Sequence, residues 1–366
     1  MQVKIDLITG LLGSGKTTFI IRYVQKFLHE GKRVCILAND YGAISVDRAL
    51  LTEALGDRCD IEMVTAGDWD CYRRRFRTKL ISMGMLGYDR AIVEPSGIFD
   101  MDDFFNILND SPIDRWYSLG NILCMVDAHL PGDPDDTWKY LFTSEAANAG
   151  LLVVSRAQEI PGFPSAESSE KLCQRILSLA QEGASQYRCG RAFRKEDILV
   201  TDWSQLTQDD WERILNAGYR RGDMQKLPVA ENGSYQTLFY YRISRPAADV
   251  RTIVKELLTD GEKYGKVIRV KGFFHAAAEK RQDTLAAEPD EKNQDTVTAE
   301  PDEKDRHTDA AETDESWLEI NATAENIEIK PTAFRKEVLI VVGEHLNSKE
   351  VGLAFGETRS VTYYDV

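Results

Sequence analysis

Residues 10–18 read Gly10-Leu11-Leu12-Gly13-Ser14-Gly15-Lys16-Thr17-Thr18. The stretch satisfies G-x-x-x-x-G-K-[ST], with Gly10, Gly15, Lys16 and Thr17 at the fixed places. Its flanks agree with it. Val3 to Ile8 reads as a buried strand, and Thr18 to Leu28 carries Phe19, Ile20, Tyr23, Val24 and Phe27 at helical spacing. Strand, glycine-rich turn and helix together point backbone N–H groups at an anion over a helix N-terminus. The expected ligand is a nucleoside triphosphate, held by the main chain of Gly10, Leu11, Leu12, Gly13, Ser14, Gly15 and Thr18. Lys16 reaches the β- and γ-phosphates and the Thr17 hydroxyl ligates Mg²⁺. Gly13 and Gly15 allow the backbone to approach the anion without a Cβ in the way.

Outward from that turn, the chain alternates strand-like and helix-like stretches over its first two-thirds. This predicts an α/β fold, a phosphate-loop domain with a mostly parallel sheet. Strands are expected at 33–38, 60–64, 89–93, 121–126 and 150–154. Helices are expected around 80–85, 170–179 and 208–218. Several strands end on a polar residue (Glu94, Asp127, Ser155), where an open α/β sheet places its ligands. Residues 1–225 are assigned to this domain and 226–366 to a smaller α+β domain. In the second, an aromatic strand at 235–243 precedes a helix at 248–258 and a strand at 266–274. A hairpin (317–322 with 325–330), a strand at 337–342 and a closing helix at 348–355 complete it.

The 366 residues carry a formal net charge of −15, which argues against nucleic acid as a partner. The charge is concentrated. Residues 283–315 hold thirteen Asp and Glu against three Lys and Arg, and Asp283 to Gln294 is nearly repeated by Asp295 to Arg306. Such a stretch buries too little apolar surface to offset its chain entropy, so an acidic, disordered insertion at about 278–315 is expected. No apolar run reaches membrane-span length, and no signal peptide is expected, since the first residues read directly into a strand. Six scattered cysteines (35, 59, 71, 124, 173 and 189) suit a reducing cytoplasm.

Two further stretches carry chemistry. Asp89 to Gly97 delivers Glu94 at a strand end, where a carboxylate can hold Mg²⁺ or position an attacking water. Gly97, three residues on, can sense the γ-phosphate through its N–H. Ala38 to Asp47 follows the second strand and contains Asp40 and Asp47, hard oxygen ligands for a metal. Read alone, it is equally a loop of turn-forming Asn, Asp and Gly.

The order of Gly10–Thr18, Asn39-Asp40-Tyr41-Gly42, Glu94-Pro95-Ser96-Gly97 and Val126-Asp127-Ala128 resembles the CobW family of P-loop GTPases. Arg269 to His275 and Glu337 to Phe355 are similar to that family's second domain, so the likeness spans nearly the whole chain apart from the insertion. The resemblance implies an Mg²⁺-dependent GTP hydrolase that delivers a metal or metallocofactor to a client metalloprotein.

There are two departures. Where the family has Gly-Cys-x-Cys-Cys, this chain has Gly67-Asp68-Trp69-Asp70-Cys71. Either Asp68, Asp70 and Cys71, with Asp40, form a site of harder preference for Zn²⁺ or Co²⁺, or metal binding there is lost. Where the family reads guanine with Asn-Lys-x-Asp, this chain has Ser155-Arg156-Ala157-Gln158. The Gln158 carbonyl accepts a hydrogen bond without the charge that strengthens it, so GTP is expected to be favoured over ATP by a reduced margin. The Arg156 stem takes the place of lysine over the base. The competing reading, from a different class, is a nucleotide-gated interaction protein without metal transfer.

Overall fold

The computed structural model describes residues 2–40, 46–65, 69–95, 101–224, 236–241, 243, 245–276, 317–324, 326–335, 337–356 and 361–365, with side chains at 39, 40, 46, 65, 69–72, 102, 103 and 361–365 left aside. The acidic repeat at 283–315 therefore lies outside the described residues, as does Gly97.

Residues 3–215 build a seven-stranded parallel sheet and its helices. Its elements run β1 (Val3–Gly10), α1 (Lys16–His29), β2 (Val34–Asp40), α2 (Val46–Leu55), β3 (Asp60–Thr65), α3 (Trp69–Gly84), β4 (Arg90–Glu94), α4 (Met101–Asn109), α5 (Ile113–Trp116), β5 (Tyr117–Asp127), α6 (Asp136–Ala147), β6 (Leu151–Ser155), α7 (Ala166–Gln186), β7 (Ile198–Val200) and α8 (Gln208–Leu215). The strands lie in the order β3-β2-β4-β1-β5-β6-β7. β1 is central, paired in parallel with β4 and β5. Seven of its eight residues are buried, because helices cover both sheet faces and leave no solvent side for polar alternation. Between the helices expected around 170–179 and 208–218 there is one more strand, which was not expected. β7 is three residues long, too short for a periodicity signal, and it forms only by pairing with β6.

α1 buries Phe19, Ile20, Tyr23, Val24 and Phe27, the residues whose spacing predicted it. At roughly 1.5–3 kcal/mol for each large apolar side chain, that face anchors the helix N-terminus beneath the loop. α4 and α6 were not expected from the sequence. α6 carries Glu145 among buried apolar and small residues, which blurs its amphipathic stripe.

The second sheet is antiparallel, in the order β11-β10-β9-β12-β8-β13. Its elements are β8 (Gln236–Tyr240), α9 (Ala247–Thr259), α10 (Gly261–Tyr264), β9 (Lys266–His275), β10 (Trp317–Ala322), β11 (Ile327–Pro331), β12 (Val338–Glu344), α11 (Ser348–Phe355) and β13 (Val361–Asp365). The hairpin expected at 317–330 is β10 against β11. α11 does not close the chain as expected, since β13 follows and adds an edge to β8. One face of this sheet packs on α9 and α11 through Val250, Val254, Leu257, Val351 and Phe355. The other face, with Phe239, Phe273, Val338 and Ile340, meets Ala49 and Leu50 of α2. That contact sets the second sheet against the carboxyl ends of the first.

Candidate nucleotide and metal site

The loop between β1 and α1 is shaped by its own backbone and its neighbours. Gly10 sits at φ 130°, and a Cβ there would meet the Met125 carbonyl of β5 at 2.3 Å. Only glycine allows β1 and β5 this approach, a constraint distinct from phosphate access. The Lys16 side chain folds back over the loop, and its Nζ donates to the Gly10 carbonyl at 2.9 Å and the Leu11 carbonyl at 3.1 Å. Burial lowers the Lys16 pKa, against the pull of Glu94 and Glu145.

Glu145 was not singled out from the sequence. From α6 its Oε2 accepts the Gly10 N–H at 3.2 Å, and its own carbonyl accepts the Thr9 hydroxyl at 3.1 Å. Burial pushes its carboxyl up to about 7, with Lys16 opposing. An acid within a run of buried small and apolar residues was the available signal.

At the far end of the loop three oxygen donors converge. The Thr17 hydroxyl lies 3.1 Å from Glu94 Oε1 and 3.3 Å from Asp47 Oδ1. Glu94 arrives on the end of β4, and Asp47 on the first turn of α2. Burial, and then the neighbouring Asp47, raises the Glu94 carboxyl to about 7. Burial pushes Asp47 up as well, but Lys271 and then Arg269 outweigh it and hold Asp47 below the usual carboxylate range. Two carboxylates and a hydroxyl form a hard, oxygen-only donor set, which fits Mg²⁺. Of the residues considered for a transition metal, Asp40 ends β2 while Asp70 and Cys71 begin α3. Their side chains, and Asp68 altogether, lie outside the described residues.

The opposite end is organised by Arg156, in the left-handed conformation at φ 55° just after β6. Its Nε donates to Asp127 Oδ1 at 3.1 Å, its Nη2 pairs closely with Asp127 Oδ2, and Nη2 also donates to the Gly13 carbonyl at 2.8 Å. The guanidinium is thus tied to the β5 terminus and the phosphate loop, and the residue lines the cavity. Ser155 donates to the Val126 carbonyl at 3.3 Å, and Gln158 lines the same cavity. Asp202, Trp203 and Ser204, just after β7, also line it and were missed with that strand. The Trp203 ring stands edge-on to Phe19 at 5.2 Å and lies 3.3 Å from where a Gly15 Cβ would be.

The cavity, about 790 Å³, lies between the two sheets. The second sheet roofs it: Lys271 of β9 donates to Asp47 Oδ2 at 2.7 Å, and Arg269 donates to Asn321 Oδ1 of β10 at 3.1 Å. A Cβ on Gly13 would meet Thr323 at 3.3 Å and Arg269 at 4.0 Å.

The chain is similar to known proteins over its phosphate-loop domain. The profile of the CobW/HypB/UreG nucleotide-binding domain matches residues 4–182. The zinc chaperone YeiR of Escherichia coli (strain K12) is 25% identical over 239 residues, which span 59% of this chain and 72% of YeiR. The zinc chaperone YjiA of the same organism is 28% identical over 135 residues, spanning 34% of this chain and 41% of YjiA. The solved structure of the Zn(II)-bound YjiA GTPase from E. coli aligns over 98% of this chain and 99% of that one, at 15% identity and a TM-score of 0.36. Residues 4–182, which hold the phosphate loop, thus form a CobW/HypB/UreG nucleotide-binding domain of the P-loop GTPase kind.

Proposed function

We propose that the protein is an Mg²⁺-dependent GTP hydrolase whose nucleotide cycle governs the handling of a transition-metal ion, Zn²⁺ first among them, for a client metalloprotein. The observation that carries the hydrolase reading is the meeting of Thr17, Asp47 and Glu94 at the helix end of the Lys16 loop. Those three side chains would hold Mg²⁺, which when bound offsets charge on the β- and γ-phosphates. The loop N–H groups and Lys16 bind and orient the phosphates. Glu94, at the end of β4 beside Thr17, would act on the Mg²⁺ ion directly or through a bound water that it positions for in-line attack. Ser155, Arg156 and Gln158 face the base, and GTP is preferred to ATP by a reduced margin. Support for the metal cargo comes from the two zinc chaperones among the relatives. Asp40, Asp68, Asp70 and Cys71 are the proposed ligands for it.

The test is phosphate release from GTP by the full chain, with and without Mg²⁺, in wild type and Lys16→Ala. Lys16 holds the loop and packs little of the core, so the variant is expected to keep its fold and lose at least a hundredfold in turnover, roughly 3 kcal/mol of electrostatic stabilisation. Wild-type turnover in Lys16→Ala, or turnover indifferent to Mg²⁺, would refute the assignment.

A further inference from the structure

Two cations of the second sheet stand over the phosphate loop, and the family's nucleotide-binding domain, matched at 4–182, contains neither. We propose that Lys271, seconded by Arg269, lets the second sheet read the terminal phosphate of the bound nucleotide, so that this sheet distinguishes a nucleoside triphosphate from a diphosphate. The proposal rests on the reading of Gly10–Thr18 as the triphosphate site.

Geometry carries it. Arg269 and Lys271 are two apart on β9 and share one face of the sheet. Arg269 Cδ lies 4.0 Å from where a Gly13 Cβ would be, at one end of the loop. Lys271 Nζ lies 2.7 Å from Asp47 Oδ2, while the other oxygen of that carboxylate faces the Thr17 hydroxyl at the other end. β9 therefore runs along the loop from its Gly13 side to its metal side. The Lys271–Asp47 pair is largely enclosed, with the two side chains 11% and 14% exposed. An ion pair so placed is screened far less than one on the surface.

Charge points the same way. Lys16, Arg269 and Lys271 face Asp47, Glu94 and Glu145, three cations against three carboxylates. A bound triphosphate brings about four negative charges and Mg²⁺ only two positive ones. The surplus falls where Lys271 sits, beside the metal donors and away from the base end. A diphosphate ends short of that position.

The alternative role for Lys271 is a plain tie between the two sheets. A tie would act alike on both nucleotides, whereas a phosphate reader acts on the triphosphate alone. The readout is therefore calorimetric affinity of the full chain, in Mg²⁺, for GDP and for a non-hydrolysable GTP analogue. Lys271→Ala is expected to weaken the analogue about tenfold or more while GDP changes less than about twofold, and Lys271→Arg to restore most of the loss. Equal weakening of both ligands in a cooperatively melting variant, or an unchanged or tighter analogue, overturns the proposal. Should Lys271→Ala not melt cooperatively, Arg269→Gln decides: selective weakening of the analogue supports the reader, and its absence overturns it. Lys16→Ala separates the underlying reading, since retention of both nucleotides there would remove the phosphate-loop site itself.

Discussion

At the scale of single residues, the site is governed by how buried charges are partnered. Glu145 forms no salt bridge among the described residues, and burial, against the weaker pull of Lys16, raises it to about 7 from an ordinary 4.5. A carboxyl whose folded pKa lies above its unfolded one contributes stability below about pH 4.5 and loses it as pH climbs through 7. Relative to Glu145→Gln, which keeps an acceptor for the Gly10 N–H, wild type should therefore lose about 3 kcal/mol between pH 4.5 and pH 8. Urea melts of both proteins across that range test this, and parallel curves would contradict it. At the base end, Gln158 offers a neutral acceptor. Gln158→Asp should raise the preference for GTP over ATP about tenfold or more by restoring a charged acceptor for the guanine donors. An unchanged ratio of the two affinities would move base recognition elsewhere in the cavity.

Among the elements, α2 joins the two halves. Leu51 and Leu55 belong to the core beneath the parallel sheet, while Ala49 and Leu50 meet the face of the second sheet. Asp47, one residue into the helix, is held between Thr17 and Lys271. A short helix so clamped moves as a unit with whatever moves its first turn. The apolar half of the clamp is small and depends on a few large side chains. Phe273 is fully buried and its ring packs 4.5 Å from Phe334. Phe273→Ala should cost about 3–4 kcal/mol, as loss of a large buried aromatic does. Because that cost falls on the second sheet, denaturation should separate into two transitions, with Trp317 of β10 exposed in the first. A single transition at the wild-type midpoint would show that this face contributes little.

For the molecule as a whole, the expected behaviour is a coupled equilibrium between nucleotide state and metal. Asp40 ends β2 and Asp47 begins α2, so the segment between them is bounded at one end by a residue of the phosphate site. If Asp40, Asp68, Asp70 and Cys71 share a transition-metal ion, its affinity should differ between GDP and a GTP analogue by at least about fivefold, the lower range of allosteric coupling. It should also rise with pH as the Cys71 thiol ionises. Calorimetric titration of Zn²⁺ and Co²⁺ into wild type and Cys71→Ser, with each nucleotide, measures both. Equal affinities throughout would favour the nucleotide-gated interaction protein.

The sequence alone determined the phosphate loop, the helix that carries it, the carboxylate of Glu94 and most of the parallel sheet. These are local in their physics: a glycine pattern, a 3.6-residue stripe and an apolar strand are each complete within a few residues. The tertiary structure decided what depends on partners distant in the chain. β7 exists because β6 offers it hydrogen bonds. Glu145 matters because α6 brings it to Gly10, 135 residues away, and Arg156 because it reaches Gly13 across 143 residues. Lys271 meets Asp47 across 224 residues, on a strand that the sequence marks out only by its likeness to a family's second domain. Such contacts leave no periodic trace, since the free energy that places them comes from packing two sheets together and not from either segment's own preference.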